Sequence, residues 1–108
     1  MCFEQKILES NQILLENFAK DMRISREDLE KNLKMVAQHD LLLSMAGQVN
    51  KAYQSNPKAF INFGEFGENV AKQLELNPEL MYNAILVSGY NDLLLNIAIQ
   101  LHTLYKKK

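Results

Sequence analysis

Few side chains in this 108-residue sequence are suited to catalysis. There are two histidines, His39 and His102, and the residue next to His39 is Asp40. Adjacent residues on a helix do not face one another, so this pair is not arranged as an acid–base couple. We find no nucleophile elbow, phosphate-binding loop or zinc-binding helix motif. The sequence therefore predicts a protein that is not an enzyme.

Four acidic residues form the one set that could hold a metal ion. Glu16 and Asp40 recur 52 positions later as Glu68 and Asp92, and a helical bundle could bring the four carboxylates together. Carboxylate-bridged metal sites in bundles also use Glu-x-x-His pairs, which this sequence lacks. The single cysteine, Cys2, allows no internal disulfide and no cysteine-based metal site. We predict no metal and no cofactor, and we interpret Asp40 and Asp92 as helix starts.

Composition and charge limit the class of protein further. The formal net charge is −1 and the pI is about 6.1. A nucleic-acid-binding protein usually carries a clear positive surplus, so this charge disfavours nucleic acid as a partner. The hydrophobic fraction is 47%, an ordinary value for a globular domain. Charged residues interrupt the N-terminal stretch where a signal peptide would be apolar. We expect one domain, residues 1–108, in the cytoplasm.

The sequence aligns with itself without a gap when it is shifted by 52 positions. Between residues 16–53 and residues 68–105, 12 of 38 positions are identical, where chance predicts about 2 or 3. Apolar character also matches at further positions, such as Leu29 with Met81 and Leu33 with Ile85. We infer an internal duplication with a first repeat at 4–54 and a second repeat at 56–106.

Both repeats predict helices joined by tight corners. Apolar residues spaced three, four or seven apart mark one face of the first helix: Phe3, Ile7, Leu14, Phe18 and Met22. Ser25 is suited to cap the next helix, and Asn77 followed by Pro78 serves the same joint in the second repeat. The predicted fold is all-α, a small helical bundle of two tandem helical hairpins with four to six helices.

Three further boundaries are predicted in the second repeat. Asn56 and Pro57 read as the cap and first residue of a helix, although two glycines weaken that helix and favour a late start near Glu65. Gly89 followed by Asn91 predicts a helix stop and a new start. The matching stretch of the first repeat has no glycine, so we expect less of a break there.

The apolar stretch at 80–105 invites comparison with a membrane anchor. It contains one charged residue, Asp92, and three lysines follow it. Asparagine, glutamine and histidine side chains are spread through it, and each is costly in hydrocarbon. The matching stretch 28–53 is amply charged. We therefore predict no membrane partner.

The corner between the first two helices of each repeat resembles the DNA-binding helix-turn-helix. In the second repeat the packing positions of that motif hold Val70, Ala71, Leu74, Leu76, Met81 and Ala84. The resemblance implies DNA contacts from four residues of the first repeat: Ser25, Arg26, Lys31 and Lys34. Both repeats depart from the motif, because its usual turn glycine is Arg23 in one and Glu75 in the other. A DNA-binding transcriptional regulator is therefore the alternative function.

Positions at which the repeats differ indicate what each repeat faces. A polar stripe in the first repeat, Glu30, Lys34 and Gln38, becomes Tyr82, Leu86 and Tyr90 in the second. Likewise, Asp28 becomes Leu80 and Gly47 becomes Ile99. An apolar stripe needs a cover, which is either the first repeat or a partner, and tyrosine is enriched at interfaces. The sequence does not decide between these two kinds of cover.

The sequence therefore favours a non-enzymatic protein–protein interaction module: a small regulator, adaptor, inhibitor or immunity-type binder. Its expected partner is another protein or a second identical chain. We also expect the module itself to be a dimer. The predicted interface consists of five residues: Leu80, Tyr82, Leu86, Tyr90 and Ile99.

Overall fold

Seven helices form in the part of the chain that the computed structural model describes, residues 3–58 and 60–107. Their bounds are α1 Phe3–Ser10, α2 Gln12–Met22, α3 Arg26–Ala37, α4 Asp40–Ser55, α5 Gly64–Gln73, α6 Pro78–Gly89 and α7 Asp92–Lys106. The all-α helical bundle is confirmed, whereas the predicted range of four to six helices is too low. Cys2 lies outside the described residues.

The helices of the two repeats begin at matching positions. A shift of 52 residues carries the first residues of α2, α3 and α4 onto those of α5, α6 and α7. The same local signals operate in both repeats. The Ser25 hydroxyl accepts from the Asp28 amide at 3.0 Å, and the Asn77 side chain accepts from the amides of Glu79 and Leu80. Position-by-position comparison of the repeats is therefore justified, while the duplication itself stays a prediction.

The extra helices come from breaks that sequence reasoning underestimated. The first repeat breaks before α4 as the second does before α7, although it has no glycine there; His39 and Asn91 are both extended. Tertiary packing sets this corner, because α4 must turn away from α3 to reach α6. The break between α1 and α2 falls at Asn11, whose side chain donates to the Ile7 carbonyl at 2.7 Å, a local bond that competes with the helix.

The predicted helix start at Asn56 and Pro57 is wrong. The Asn56 side chain accepts from the Lys58 amide and forms a turn instead. The helix begins at Gly64, close to the expected late start, and Gly64 has a φ of 51°. That left-handed backbone suits a residue without a Cβ.

Two clusters of buried side chains make the core, and each combines both repeats. The first core cluster joins α1, α2 and α3 to α7: Leu8, Leu15, Ala19, Leu29, Leu33, Ala37, Leu94, Ile97, Ala98 and Leu101. The second core cluster joins α5 and α6 to α4, with one residue of α3: Val36, Leu42, Met45, Ala46, Val49, Val70, Ala71, Met81, Ala84 and Ile85. We refer to α4 and α7 as the third helices of their repeats, counted from α2 and α5, and each thus completes the core of the other repeat.

The apolar stretch at 80–105 is divided between α6 and α7. Among the described residues, no single helix combines the length and the apolar composition of a membrane span. The two helices meet that test only when taken together, and they are bent by 113° from one another.

The crossing of α6 and α4 requires a glycine at position 89. A Cβ built there would lie 2.7 Å from the Ala46 carbonyl oxygen and 2.8 Å from the Val49 Cβ. Gly47 of α4 differs, because a Cβ built there meets no atom within 4 Å. The two glycines therefore form a matched pair, one needed for packing and one open to replacement.

Replacing these glycines should change stability in opposite directions. We expect Gly89→Ala to lower the free energy of unfolding by about 1 to 3 kcal/mol, because the backbone of α4 must move. Gly47→Ala should raise it by up to about 1 kcal/mol through helix propensity. Urea unfolding followed by circular dichroism measures both. Equal effects of the two substitutions would contradict the close crossing.

Candidate protein-binding groove

An open groove lies between α3 and α6. Its apolar lining comes from α6 and its C-cap, α3, the α2–α3 corner and α4: Leu80, Leu86, Val87, the C-cap Tyr90, Met35, Met22, Ile24 and Tyr53. Polar residues, among them Asp28 and Lys31, line it as well. Its volume is about 650 Å³. We refer to this feature as the open groove.

Three of the five residues predicted as an interface line the open groove. Leu80 is 56% exposed, Tyr90 is 46% exposed, and Leu86 is half-buried. Ile99 is 43% exposed on α7 and is not part of the groove lining. Tyr82 is half-buried and lies against α5 and against Phe63, the residue that precedes α5. The predicted set is thus divided among three places.

Tyr82 is covered within the chain. Its ring stacks on Phe63, with centroids 6.0 Å apart, and its hydroxyl donates to the Gly64 carbonyl at 3.2 Å. A Cβ built at Gly67 would lie 2.8 Å from the Tyr82 Cζ. The counterpart of Gly67 in the first repeat is Leu15, which is fully buried. Tyr82 on α6 therefore fills the space that the missing side chain of Gly67 leaves on α5. The exchange of size between these two positions is visible only when the two repeats are compared.

The end of the open groove near Tyr53 corresponds to a place in the first repeat, and in the first repeat α1 occupies that place. Leu86 corresponds to Lys34 and Tyr53 corresponds to Tyr105. Glu4 of α1 binds both of those counterparts: Lys34 Nζ lies 3.0 Å from its carboxylate, and the Tyr105 hydroxyl donates to it at 2.8 Å. In the second repeat the two matching side chains line the open groove instead.

Among the described residues, the second repeat shows no helix that matches α1. Residues 60–63, in front of α5, are not helical. Phe60 corresponds to Leu8 of α1, yet Phe60 is 88% exposed while Leu8 is 2% exposed within the first core cluster. Half-buried Ile61 and Phe63 pack on the second core cluster. The open apolar end of the groove therefore results from the asymmetry between the two repeats.

The residues of the DNA-binding alternative are engaged within the chain. Ser25 caps α3. Arg26 lies 3.1 Å from the Glu16 carboxylate and 3.4 Å from that of Glu30. Lys31 lies 3.6 Å from the carboxylate of Glu27, and Lys34 pairs with Glu4 of α1. Within the described residues, all three cations thus have acidic partners at hand.

Asp40 and His102 form a contact that sequence reasoning missed. His102 of α7 is hydrogen-bonded to Asp40 at the start of α4, and Lys106 Nζ lies 3.6 Å from the same carboxylate. The hydrogen bond from His102, and then the charge of Lys106, hold the pKa of Asp40 below its ordinary value of 3.8. Asp92, the counterpart of Asp40, accepts from Gln54 of α4. Each of these acids is thus bound by the third helix of the other repeat.

The sequence offered one signal for this contact. The duplicated acids Asp40 and Asp92 begin the third helices, as predicted, but their partners are 62 and 38 residues away along the chain. The packing of α4 against α7 brings these distant residues together. No group of three or more potential metal ligands lies together in the described residues. We interpret the two contacts as links between the repeats.

The contact at Asp40 should be visible in the acid stability of the protein. A carboxyl whose pKa is lower in the folded state than in the unfolded state stabilises the fold above its unfolded pKa. That contribution is lost as the pH falls through the folded pKa, which here lies below 3.8. We expect the unfolding temperature of the native protein to exceed that of Asp40→Asn above about pH 5, and the difference to shrink toward pH 2.

Thermal unfolding by circular dichroism at several pH values measures this difference. Asp21→Asn is the matched control, because Asp21 is an exposed acid of α2 with no ion pair among the described residues. A difference between native protein and Asp40→Asn that stays constant from about pH 5 to pH 2 would contradict the role of the carboxylate.

Comparison with known proteins identifies no relative of this chain. Neither the protein-family models nor the curated proteins nor the solved structures include a match to the chain. The chemistry of the open groove is therefore the basis for any functional proposal.

Proposed function

We propose that this protein is a non-enzymatic protein-binding module and that the open groove is its docking surface. One observation carries the proposal: three large side chains of α6 and its C-cap are accessible where the matching residues of α3 and its C-cap are charged or polar. The pairs are Leu80 with Asp28, Leu86 with Lys34, and Tyr90 with Gln38. Since the helices correspond in position, the fold itself does not require these three residues to be apolar.

The composition of the groove suits a protein partner. Burying one leucine side chain contributes about 1.5 to 3 kcal/mol, so a partner that covers Leu80 and Leu86 gains appreciable binding energy. Polar residues border the apolar floor, with Asp28 and Lys31 on α3 and Asn83 on α6. An apolar centre with a polar rim is the usual anatomy of a protein interface.

Tyr90 is positioned before any partner arrives. Its ring makes an edge-to-face contact with Phe18 of α2, with centroids 6.0 Å apart and planes at 87°. Such contacts add about 0.5 to 1.5 kcal/mol beyond buried area. A side chain that is already ordered loses less conformational entropy on binding. Tyr90 is therefore the anchor that we expect to contribute most to binding.

The proposal retains the broader expectations drawn from the sequence. A small regulator, adaptor, inhibitor or immunity-type binder would use such a groove, and a dimer would use it if the partner is a second copy. The cytoplasm is the proposed location. Tyr82 is not needed in the docking surface, because α5 and Phe63 provide its cover.

The first repeat supplies a variant that tests the groove. We expect the triple substitution Leu80→Asp, Leu86→Lys and Tyr90→Gln to weaken partner binding at least about tenfold, since it removes most of the accessible apolar surface of α6. Each new residue is the one that α3 carries at the matching position, so the helix should be retained. Capture of the partner by tagged protein in native lysate, compared for native and triple-variant protein, measures the effect.

Ile99→Lys is the matched control, because Ile99 is as accessible as Tyr90 but lies outside the groove. Circular dichroism checks that both proteins are folded. Loss of binding in Ile99→Lys with full binding in the triple variant contradicts the proposal. Nuclease-sensitive capture, together with a gel shift that weakens steeply with salt, supports the DNA-binding alternative instead.

A further inference from the structure

The position of α1 on the first repeat provides an internal template for an occupant of the open groove. α1 is a helix of eight residues, Phe3–Ser10, that packs on α7. It buries Leu8 in the first core cluster and places Glu4 against Lys34 and Tyr105. A short amphipathic helix is thus a form of cover that this architecture already uses.

The matching place on the second repeat is accessible at two residues. Tyr53 and Leu86 correspond to Tyr105 and Lys34, which Glu4 of α1 binds in the first repeat. Tyr90 lies beside them in the lining of the open groove, and its counterpart Gln38 is exposed in the first repeat. The Tyr53 hydroxyl makes no hydrogen bond with any described residue, whereas the Tyr105 hydroxyl is bound by Glu4. The open groove therefore offers a binding partner an apolar surface and one hydroxyl group that can form a hydrogen bond with it.

The chain's own residues 60–63 do not fill this place. The backbone before them turns at Asn56, and the Asn62 side chain accepts from the Gly64 amide at 2.9 Å. Ile61 and Phe63 are engaged on the second core cluster, while Phe60 points to solvent. This segment is held in a non-helical form beside the groove.

A second copy of α1 does not match the groove either. Its Glu4 would meet Leu86 rather than Lys34, so a carboxylate would lose water without gaining a cation. A neutral amide at that position would still accept a hydrogen bond from the Tyr53 hydroxyl, at a smaller desolvation cost. The groove chemistry thus selects a helix similar in shape to α1 but uncharged at its Glu4 position.

We propose, on the basis of the proposed function, that the partner inserts a short amphipathic helix into the open groove as the counterpart of α1. Its apolar face covers Leu86 and Tyr90, and a neutral hydrogen-bond acceptor meets the Tyr53 hydroxyl. The partner is a different protein from this chain.

The experiment uses α1 itself as the source of the probe. The probe is a peptide of residues 3–11 closed by a lactam between positions 5 and 9, after Gln5→Lys; both positions face solvent in the chain. The lactam is needed because so short a peptide is barely helical in water. One version retains Glu4 and the other carries Glu4→Gln. Each is titrated into the full-length native protein and into Leu86→Lys, with binding followed by amide chemical shifts.

The expected result is a reversal of preference. The native protein should bind the Glu4→Gln peptide about fivefold more tightly, and Leu86→Lys should bind the Glu4 peptide about fivefold more tightly, because it restores the cation of the first repeat. Shifts should centre on Tyr53, Leu86 and Tyr90. Native and Leu86→Lys proteins differ at one accessible position, and circular dichroism confirms that both are folded.

Three outcomes overturn the inference. The first is the same peptide preference in both proteins, or no binding up to the solubility limit of the peptides. The second is a set of shifts centred on Lys34 and Tyr105, which means that the peptide displaces α1. The third is a dimer in analytical ultracentrifugation that Leu86→Lys abolishes, which makes a second copy the occupant. The proposed function survives each of these if the triple groove variant still loses its partner.

Discussion

The exchange of third helices between the repeats is the constraint on which the rest of the structure depends. α7 completes the cluster formed by α2 and α3, and α4 completes the cluster formed by α5 and α6. Most helical stability comes from burying an apolar face, and neither hairpin buries its face alone. Each repeat therefore depends on the other for part of its buried core. The polar links of Asp40 to His102 and of Asp92 to Gln54 lie on the same exchanged helices.

This exchange also explains why the two halves can differ at their surfaces. Most positions inside the clusters hold apolar residues in both repeats, as Leu29 and Met81 do, although Val36 corresponds to Ser88 and Ala84 corresponds to Asn32. Positions outside the clusters need to satisfy only their own surroundings. The first repeat covers its outer surface with α1, which pairs Glu4 with Lys34. The described part of the second repeat has no such helix, and Leu86 at the position of Lys34 lines the open groove.

Local features of the fold could be predicted from the sequence because their causes are local. The caps at Ser25 and Asn77 follow from side chains that reach amides two or three residues away. The fold class follows from helical periodicity, and the position of α5 follows from its glycines. The left-handed turns at Arg23 and Glu75 were not expected, since neither residue is glycine. In both repeats the corner forces that backbone, as packing overrides the local preference.

The candidate site could be predicted only in part because its causes are not local. Comparison of the repeats identified Leu80, Leu86 and Tyr90, which the structure brings to one groove. It grouped Tyr82 with them, since nothing along the sequence relates Tyr82 to the space at Gly67. Ile99 was included on the same pattern, but it lies on a helix that belongs to the other cluster. Contacts between residues far apart in sequence decide these cases.

The exposed surface of α3 favours the groove over DNA as the basis of function. One face of α3 is buried in the two core clusters through Leu29, Leu33, Val36 and Ala37. Arg26 and Lys34 are half-buried beside acidic partners. The charged residues left exposed on the helix are Glu27, Asp28 and Lys31, a strip with one more acid than base. Binding to nucleic acid begins with cations that neutralise phosphates, and this strip repels phosphate. The matching positions of α6 hold Glu79, Leu80 and Asn83, and Leu80 lines the open groove together with Leu86, where a protein partner can bury both.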